Sequence, residues 1–178
     1  MSRTTTALVA TAAILAAGAS AGASASAGAS PAPVAAAASA PTCRSAGLDI
    51  RFGEVQGAAG TTYREITLVN RGLRPCALRG FPGVSYVDQR GDQVGPAAER
   101  VGGPGPVLVL PRGAAATADV GFVRVGNFDP EVCHPVPVWG VRVFPPDETE
   151  PLYLPLDDEH GCADARVGSH LTVASVRS

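Results

Sequence analysis

The chain has 178 residues, of which 46% are hydrophobic and 5% aromatic, and its formal net charge at pH 7 is −2. This mild acidity argues against a nucleic-acid partner, because nucleic-acid binding requires a basic face. All 14 basic residues are arginines, and the lack of lysine excludes a P-loop, a Schiff-base lysine and an S-x-x-K nucleophile pair.

The first 29 residues have the layout of a cleaved secretory signal. One positive charge precedes an uncharged apolar run at residues 7–17, and A-x-A cleavage sites follow it. The run is shorter than the ~20 residues of a membrane span, so we expect no stable span after cleavage; an uncleaved anchor helix is the alternative. Residues 30–42 are rich in Ala, Ser and Pro, which predicts a flexible linker. These segments predict a secreted, extracellular protein.

Residues 43–178 form one predicted domain of short strands separated by turns. Apolar and polar side chains alternate, as in half-buried strands. The predicted strands lie at residues 48–52, 62–70, 84–87, 107–110, 118–122, 136–144, 152–156 and 171–176. Their number and the turn residues between them predict an all-β, immunoglobulin-like antiparallel β-sandwich. Pro135 and Pro137 begin one predicted strand and Pro155 lies within another. At least one of these strands is therefore expected to be a sheet edge, because proline donates no ladder hydrogen bond.

The four cysteines are predicted to form two disulfides, each closing the open end of a hairpin. Reflecting Cys43 through the centre of the first hairpin places it beside Cys76. Reflecting Cys133 through the centre of the hairpin at 136–156 places it on Cys162. An extracellular compartment permits both bridges, and by the loop-entropy estimate each adds about 3–4 kcal/mol.

No motif supports catalysis. Ser85 lies in the segment GVSYV, which lacks the second glycine of G-x-S-x-G, and no H-E-x-x-H is present. A zinc site is the alternative to the second disulfide, but the adjacent pair Cys133-His134 lacks the usual C-x2–4-C spacing. That site would consist of Cys133, His134, His160 and Cys162. We therefore predict a non-enzymatic protein with no catalytic, cofactor or metal site.

Two further features have more than one interpretation. Trp139 shares a predicted strand face with Val141 and Val143, which favours a core residue. A carbohydrate-stacking platform is the alternative. The acidic residues at 157–159 favour a solvated turn, with a loose calcium site as the alternative because hard oxygen ligands suit Ca²⁺.

Residues 68–84 read LVNRGLRPCALRGFPGV. This stretch resembles the pattern L-x-N-x-G-x-x-P-C-x-L-x-G-[FY]-P-G-V of the family called "domain of unknown function 4232", exported proteins and lipoproteins of high-GC Gram-positive bacteria. The resemblance covers the chain from Cys43 to about Val176. It implies a secreted, immunoglobulin-like β-sandwich and carries over no catalytic residues. Cys43 lacks a lipobox, so lipid anchoring is not expected.

The predicted function is an exported, non-enzymatic binding or structural module at the cell envelope or in the medium. Its partner classes are a cell-wall polymer or an exported protein. The favoured contact surface joins the Gly/Pro-rich loop at 95–106 to a neighbouring turn, because loops on a stable scaffold carry recognition. Its residues are Gly80, Phe81, Pro82, Gly83, Pro104 and Pro106. The alternative is a secreted protease inhibitor that presents the same loop.

Overall fold

Eleven strands and a few short helical turns make up this computed structural model, which describes residues 40–178. The predicted signal at 1–29 and residues 30–39 of the predicted linker lie outside the described residues. Strands β1 to β11 are Leu48–Ala58, Thr61–Asn70, Cys76–Leu78, Gly83–Val87, Gln93–Val94, Glu99–Val101, Leu108–Leu110, Ala115–Val123, Pro135–Phe144, Leu152–Cys162 and Leu171–Ala174. One helical turn, α1, is Pro130–Cys133, and 3-10 turns lie at Ser45–Gly47, Val125–Asn127 and Ala165–Val167. None of the helices in this part of the chain has the length and apolar character needed to cross a membrane.

The strands form two larger sheets and one small pair. The five-stranded sheet has the order β1-β2-β8-β11-β6, the four-stranded sheet has the order β10-β9-β4-β5, and β3 pairs with β7. The all-β class is therefore confirmed, whereas the immunoglobulin-like strand plan stays a prediction. The pairings between named strands are antiparallel except that β6 runs parallel to β11.

Strand β6 lies inside the stretch at 95–106 that we expected to be an irregular loop. Its three residues, Glu99–Val101, are all exposed. A strand this short and solvent-facing has no apolar alternation, so its sequence carries no strand signal. Its pairing with β11 ties the middle of the stretch to the five-stranded sheet.

The two larger sheets face each other across one apolar core. Alternate residues of β8 point into it, as predicted from Ala118, Val120 and Phe122, which are at most 3% exposed. The ring of Tyr86 on β4 lies 5.9 Å from that of Phe122, centroid to centroid, and so joins the sheets. Each such large side chain stabilises the fold by about 1.5–3 kcal/mol when fully buried. The same core includes Ile66, Leu68, Val84, Val141, Val143, Leu154, Leu171 and Val173.

The predicted disulfide pairing is confirmed, and the two bridges are Cys43–Cys76 and Cys133–Cys162. Each bridge lies at the open end of a hairpin, β1–β2 in one case and β9–β10 in the other. Strand β10, which contains Pro155, forms a sheet edge, as expected of at least one of the two proline-containing strands, whereas β9, which begins at Pro135, lies between β10 and β4. The bond between Cys133 and Cys162 contradicts the zinc alternative, because both sulfurs are occupied by each other.

The prediction that Trp139 belongs to the core is wrong, since its side chain is 52% exposed. Val138 and Val141 are both buried although they are three residues apart, so the alternation of β9 is interrupted between them. The cause lies on β10, where the register jumps from Pro155 opposite Gly140 to Glu159 opposite Val138. This β-bulge redirects the side chains of both strands.

The distinctive stretch at residues 68–84 has a structural role at its centre. Asn70 is 2% exposed, and its Nδ2 donates to the carbonyl oxygens of Leu110 at 2.8 Å and Arg74 at 2.9 Å. Its Oδ1 accepts a hydrogen bond from the Gly72 N–H at 2.8 Å. The motif therefore holds β2, the following turn and β7 together.

Candidate functional site

The three histidines of the chain do not form a common site. His170 is fully buried, and its Nε2 accepts a hydrogen bond from the Cys162 N–H at 3.2 Å. Burial lowers the pKa of this imidazole. His134 is exposed and lies 4.0 Å from the carboxylate of Asp164, whereas His160 lines a surface cavity on β10. The enclosed His170 has no access to an external substrate.

The other candidate nucleophiles are also enclosed or bonded. Ser85 is 4% exposed and lies within strand β4, and no cysteine in the described part of the chain carries a free thiol. Between residues 40 and 178, no group of three or more His, Cys, Asp or Glu side chains is placed to hold a metal ion. Neither Ser85 nor the bridged cysteines therefore offer the accessible nucleophile that nucleophilic catalysis requires.

The loop and the turn of the predicted contact surface do lie together. Nε of Arg79 donates to the carbonyl oxygen of Gly105 at 3.4 Å, and the Arg100 guanidinium lies 5.8 Å from the centroid of the Phe81 ring. The Val176 N–H donates to the carbonyl oxygen of Gly80 at 2.8 Å, which anchors the turn to the C-terminal segment.

Only part of the predicted contact surface is accessible. Pro104 and Pro106 are exposed, but Pro82 is buried beneath the turn. Neither disulfide brackets the loop, and β6 holds its middle in the sheet. The loop is therefore neither clamped by a disulfide nor free to protrude, and the protease-inhibitor hypothesis has no support from it.

A second surface lies on the outer side of β9 and β10. We call Trp139, Gly140 and Tyr153 the aromatic shelf. Both aromatic side chains are about half exposed, at 52% for Trp139 and 51% for Tyr153. The Tyr153 hydroxyl donates to the carbonyl oxygen of Trp139 at 2.6 Å. This hydrogen bond fixes the Tyr153 ring beside the backbone of Trp139.

Glycine at position 140 allows this arrangement. A methyl group at Gly140 would lie 2.5 Å from Cε2 of Tyr153, and closer still to the carbonyl oxygen of Leu154. The Tyr153 ring therefore packs directly against the Gly140 backbone. Only a residue without a side chain permits so close an approach.

An acidic cavity adjoins the shelf. It has a volume of about 330 Å³, and Trp139 and His160 line it together with Asp157, Asp158 and Glu159. We call these three carboxylates the acidic bulge, because they lie where the register of β10 breaks. No ion pair found among residues 40–178 involves them. Their oxygens are therefore available to an external donor.

Three acidic side chains elsewhere, Glu65, Asp119 and Glu148, are engaged within the domain. The Arg177 guanidinium lies 3.0 Å from Glu65 and 3.1 Å from Asp119. The Glu148 carboxylate accepts the Ser45 N–H at 3.0 Å, and the backbone N–H groups of its neighbour Thr149 and of Ser45 lower its pKa. These contacts stabilise the fold, whereas Asp157 and Asp158 of the acidic bulge are exposed and lie beside Trp139.

The sequence favoured a buried Trp139 and offered an exposed one only as the alternative. It gave no connection between Trp139 and the acidic residues at 157–159. The signal available was Pro155, because a proline inside a strand marks an edge or a bulge. A bulge at that point moves the acidic residues next to Trp139.

Comparisons with known proteins identify a family. No curated protein and no solved structure matches the chain. The family model described as "Domain of unknown function (DUF4232)" matches residues 43–177, which include both disulfides and all eleven strands. The chain belongs to this family, as the stretch at residues 68–84 predicted.

Proposed function

We propose that the protein is an exported, non-enzymatic binding module that acts at the cell envelope. The observation that carries the proposal is the aromatic shelf with its adjoining acidic cavity. Large aromatic rings left half exposed on a stable sheet are typical of recognition surfaces, because they offer much contact area with few rotatable bonds.

The location rests on two independent features. The N-terminal sequence has the layout of a secretory signal. The domain also contains two disulfides, Cys43–Cys76 and Cys133–Cys162, and such bridges persist in oxidising compartments outside the cytosol. Together they support export.

Fractionation with a pull-down tests the function. The protein, purified with both disulfides formed, is incubated separately with cell-wall preparations, membranes and culture supernatant of the producing organism. We expect saturable retention by the cell wall or by one envelope component, and mass spectrometry or sugar analysis then identifies what is retained.

Two results would contradict the proposal. One is the absence of retention by every fraction at micromolar protein. The other is turnover of a retained component that survives replacement of exposed aromatic residues but is lost with His134→Ala or His160→Ala, since that would indicate an enzyme. Protein that has been reduced and then reoxidised is assayed in the same way, as a control that retention depends on the correctly folded domain.

A further inference from the structure

We propose that the aromatic shelf and the acidic bulge bind an uncharged glycan strand. This inference rests on the proposed function and names the chemical class of its ligand. The sugar ring would stack on Trp139 and Tyr153, and its hydroxyl groups would donate hydrogen bonds to the carboxylates of Asp157, Asp158 and Glu159.

The stacking surface is suited to a pyranose ring. The face of a pyranose presents C–H groups, and these carry a small positive charge that complements the negative face of an aromatic π system. Trp139 and Tyr153 are each about half exposed, so each ring has one side free for such a contact. A glycan extends over several sugar units and can contact both residues.

The shelf is preorganised. The Tyr153 hydroxyl is held by the Trp139 carbonyl oxygen at 2.6 Å, and its ring is packed on Gly140. A ring already fixed in position loses little conformational entropy when a ligand binds, so more of the contact energy appears as affinity.

The acidic bulge provides the polar contacts. Carboxylates accept hydrogen bonds from hydroxyl groups, and such charge-assisted bonds are roughly twice as strong as neutral ones. The cavity formed with Trp139 and His160 has a volume of about 330 Å³, which is at the lower end of the range of roughly 300–1,000 Å³ for small-ligand sites. It accommodates part of a strand whose remainder lies along the shelf.

Charge excludes the anionic envelope polymers. Three carboxylates in sequence at Asp157, Asp158 and Glu159 repel phosphate-bearing or uronate-bearing chains, and like charges placed together at an interface are strongly unfavourable. A protein partner that adds a strand to β10 is also disfavoured. Pro155 and the register break at the bulge interrupt the edge that such a strand would pair with.

Fluorescence offers a direct test, because Trp139 is the only tryptophan in the chain. Any ligand-induced change in tryptophan emission therefore reports on the shelf itself. The probes are a soluble β-1,4-linked N-acetylglucosamine oligomer and cell-wall glycan from which anionic polymers have been removed. We expect a saturable change in emission with the oligomer and retention of the protein on the insoluble glycan.

Variants assign the binding to the shelf. Trp139→Ala and Tyr153→Ala should each weaken retention on the insoluble glycan by about tenfold or more, the size expected for the loss of one stacked ring. Tyr153→Phe keeps the ring and its packing on Gly140 but loses the hydrogen bond to Trp139, so its retention should lie between that of the wild type and that of Tyr153→Ala. Tyr63→Ala is the matched control, because Tyr63 is 42% exposed and packs on Gly121 of the other large sheet.

The outcomes separate the inference from the proposed function. If the wild-type protein binds the envelope but Trp139→Ala binds equally well, the glycan site is wrong and the binding function stands. If retention depends on Trp139 but the retained component is a protein, the glycan inference is likewise overturned. If the wild-type protein is retained by no fraction, both proposals fail.

Discussion

The imidazole of His170 stacks on the phenol ring of Tyr86, with centroids 5.1 Å apart and an angle of 24° between the ring planes. Both side chains are fully buried. Nε2 of the same imidazole accepts the Cys162 N–H, so the proton of the neutral ring resides on Nδ1. This stack links the aromatic core to the disulfide at the end of the β9–β10 hairpin.

The buried imidazole should make the domain less stable in acid. Burial lowers the pKa of His170 in the folded state, whereas the unfolded chain takes up a proton near pH 6.5. The neutral, buried imidazole therefore costs no free energy of unfolding above that pH. Below it the free energy of unfolding should fall by up to about 1.4 kcal/mol per pH unit until the folded pKa is reached.

Urea denaturation at pH 7.5, 6.0 and 5.0 measures this effect. His170→Gln removes the titrating group, keeps a side-chain carbonyl that accepts the Cys162 N–H, and should flatten the decline between pH 6.5 and 5. His134→Gln is the control, because His134 is exposed. Equal pH slopes for the wild-type and His170→Gln proteins would contradict the assignment.

Gly140→Ala should destabilise the fold by about 1–3 kcal/mol, the usual cost of overpacking. The added methyl group would lie 2.5 Å from the Tyr153 ring and displace the ring from its packing against strand β9. Gly57→Ala is the matched control, since Gly57 also lies in a strand and has nothing within 4 Å of the added atom. Urea midpoints for both variants test the difference, and a loss from Gly140→Ala no larger than that from Gly57→Ala would refute the close contact.

Asn70→Ala should lower the free energy of unfolding by about 2–4 kcal/mol. It removes hydrogen bonds to the carbonyl oxygens of Leu110 and Arg74 and from the Gly72 N–H, each worth about 1 kcal/mol, and leaves buried groups unpaired. Asn127→Ala removes one exposed bond to the Gly60 carbonyl oxygen and should cost less than about 1 kcal/mol. Thermal denaturation followed by circular dichroism distinguishes the two, and similar melting temperatures would count against the role of Asn70.

The framework of the fold was accessible from sequence because it depends on local rules. Alternation in residues 118–122 placed Ala118, Val120 and Phe122 inside, and hairpin symmetry paired Cys43 with Cys76. The prolines indicated that β9 or β10 is an edge strand, and β10 is. Each of these features follows from strand periodicity or from the reach of a hairpin.

The candidate site was harder to predict from the sequence, because it depends on a break in that periodicity. The bulge after Pro155 turns Trp139 outward and places it beside Asp157, and no alternation rule locates a bulge in advance. The burial of His170 was also missed, since a single histidine before the last strand gives no sign of the aromatic ring that it meets across the core.

Removing either disulfide should lower the free energy of unfolding by a similar amount, but the two removals should affect the aromatic shelf differently. The bridged cysteines are 33 and 29 residues apart, so the chain-entropy estimate gives both bridges a similar contribution of about 3–4 kcal/mol. Cys43→Ala/Cys76→Ala and Cys133→Ala/Cys162→Ala should therefore lose comparable free energies of unfolding, measured by urea titration.

Only the second double variant should disturb Trp139. The Cys133–Cys162 bridge closes the same hairpin that carries the acidic bulge and the shelf, whereas Cys43–Cys76 closes a hairpin of the other large sheet. Loss of the Cys133–Cys162 bridge lets the paired end of β9 and β10 open, so the emission of Trp139 should shift to longer wavelength under conditions where the protein is still folded. An equal shift in both variants would mean that the shelf is held by the core as a whole rather than by its own bridge.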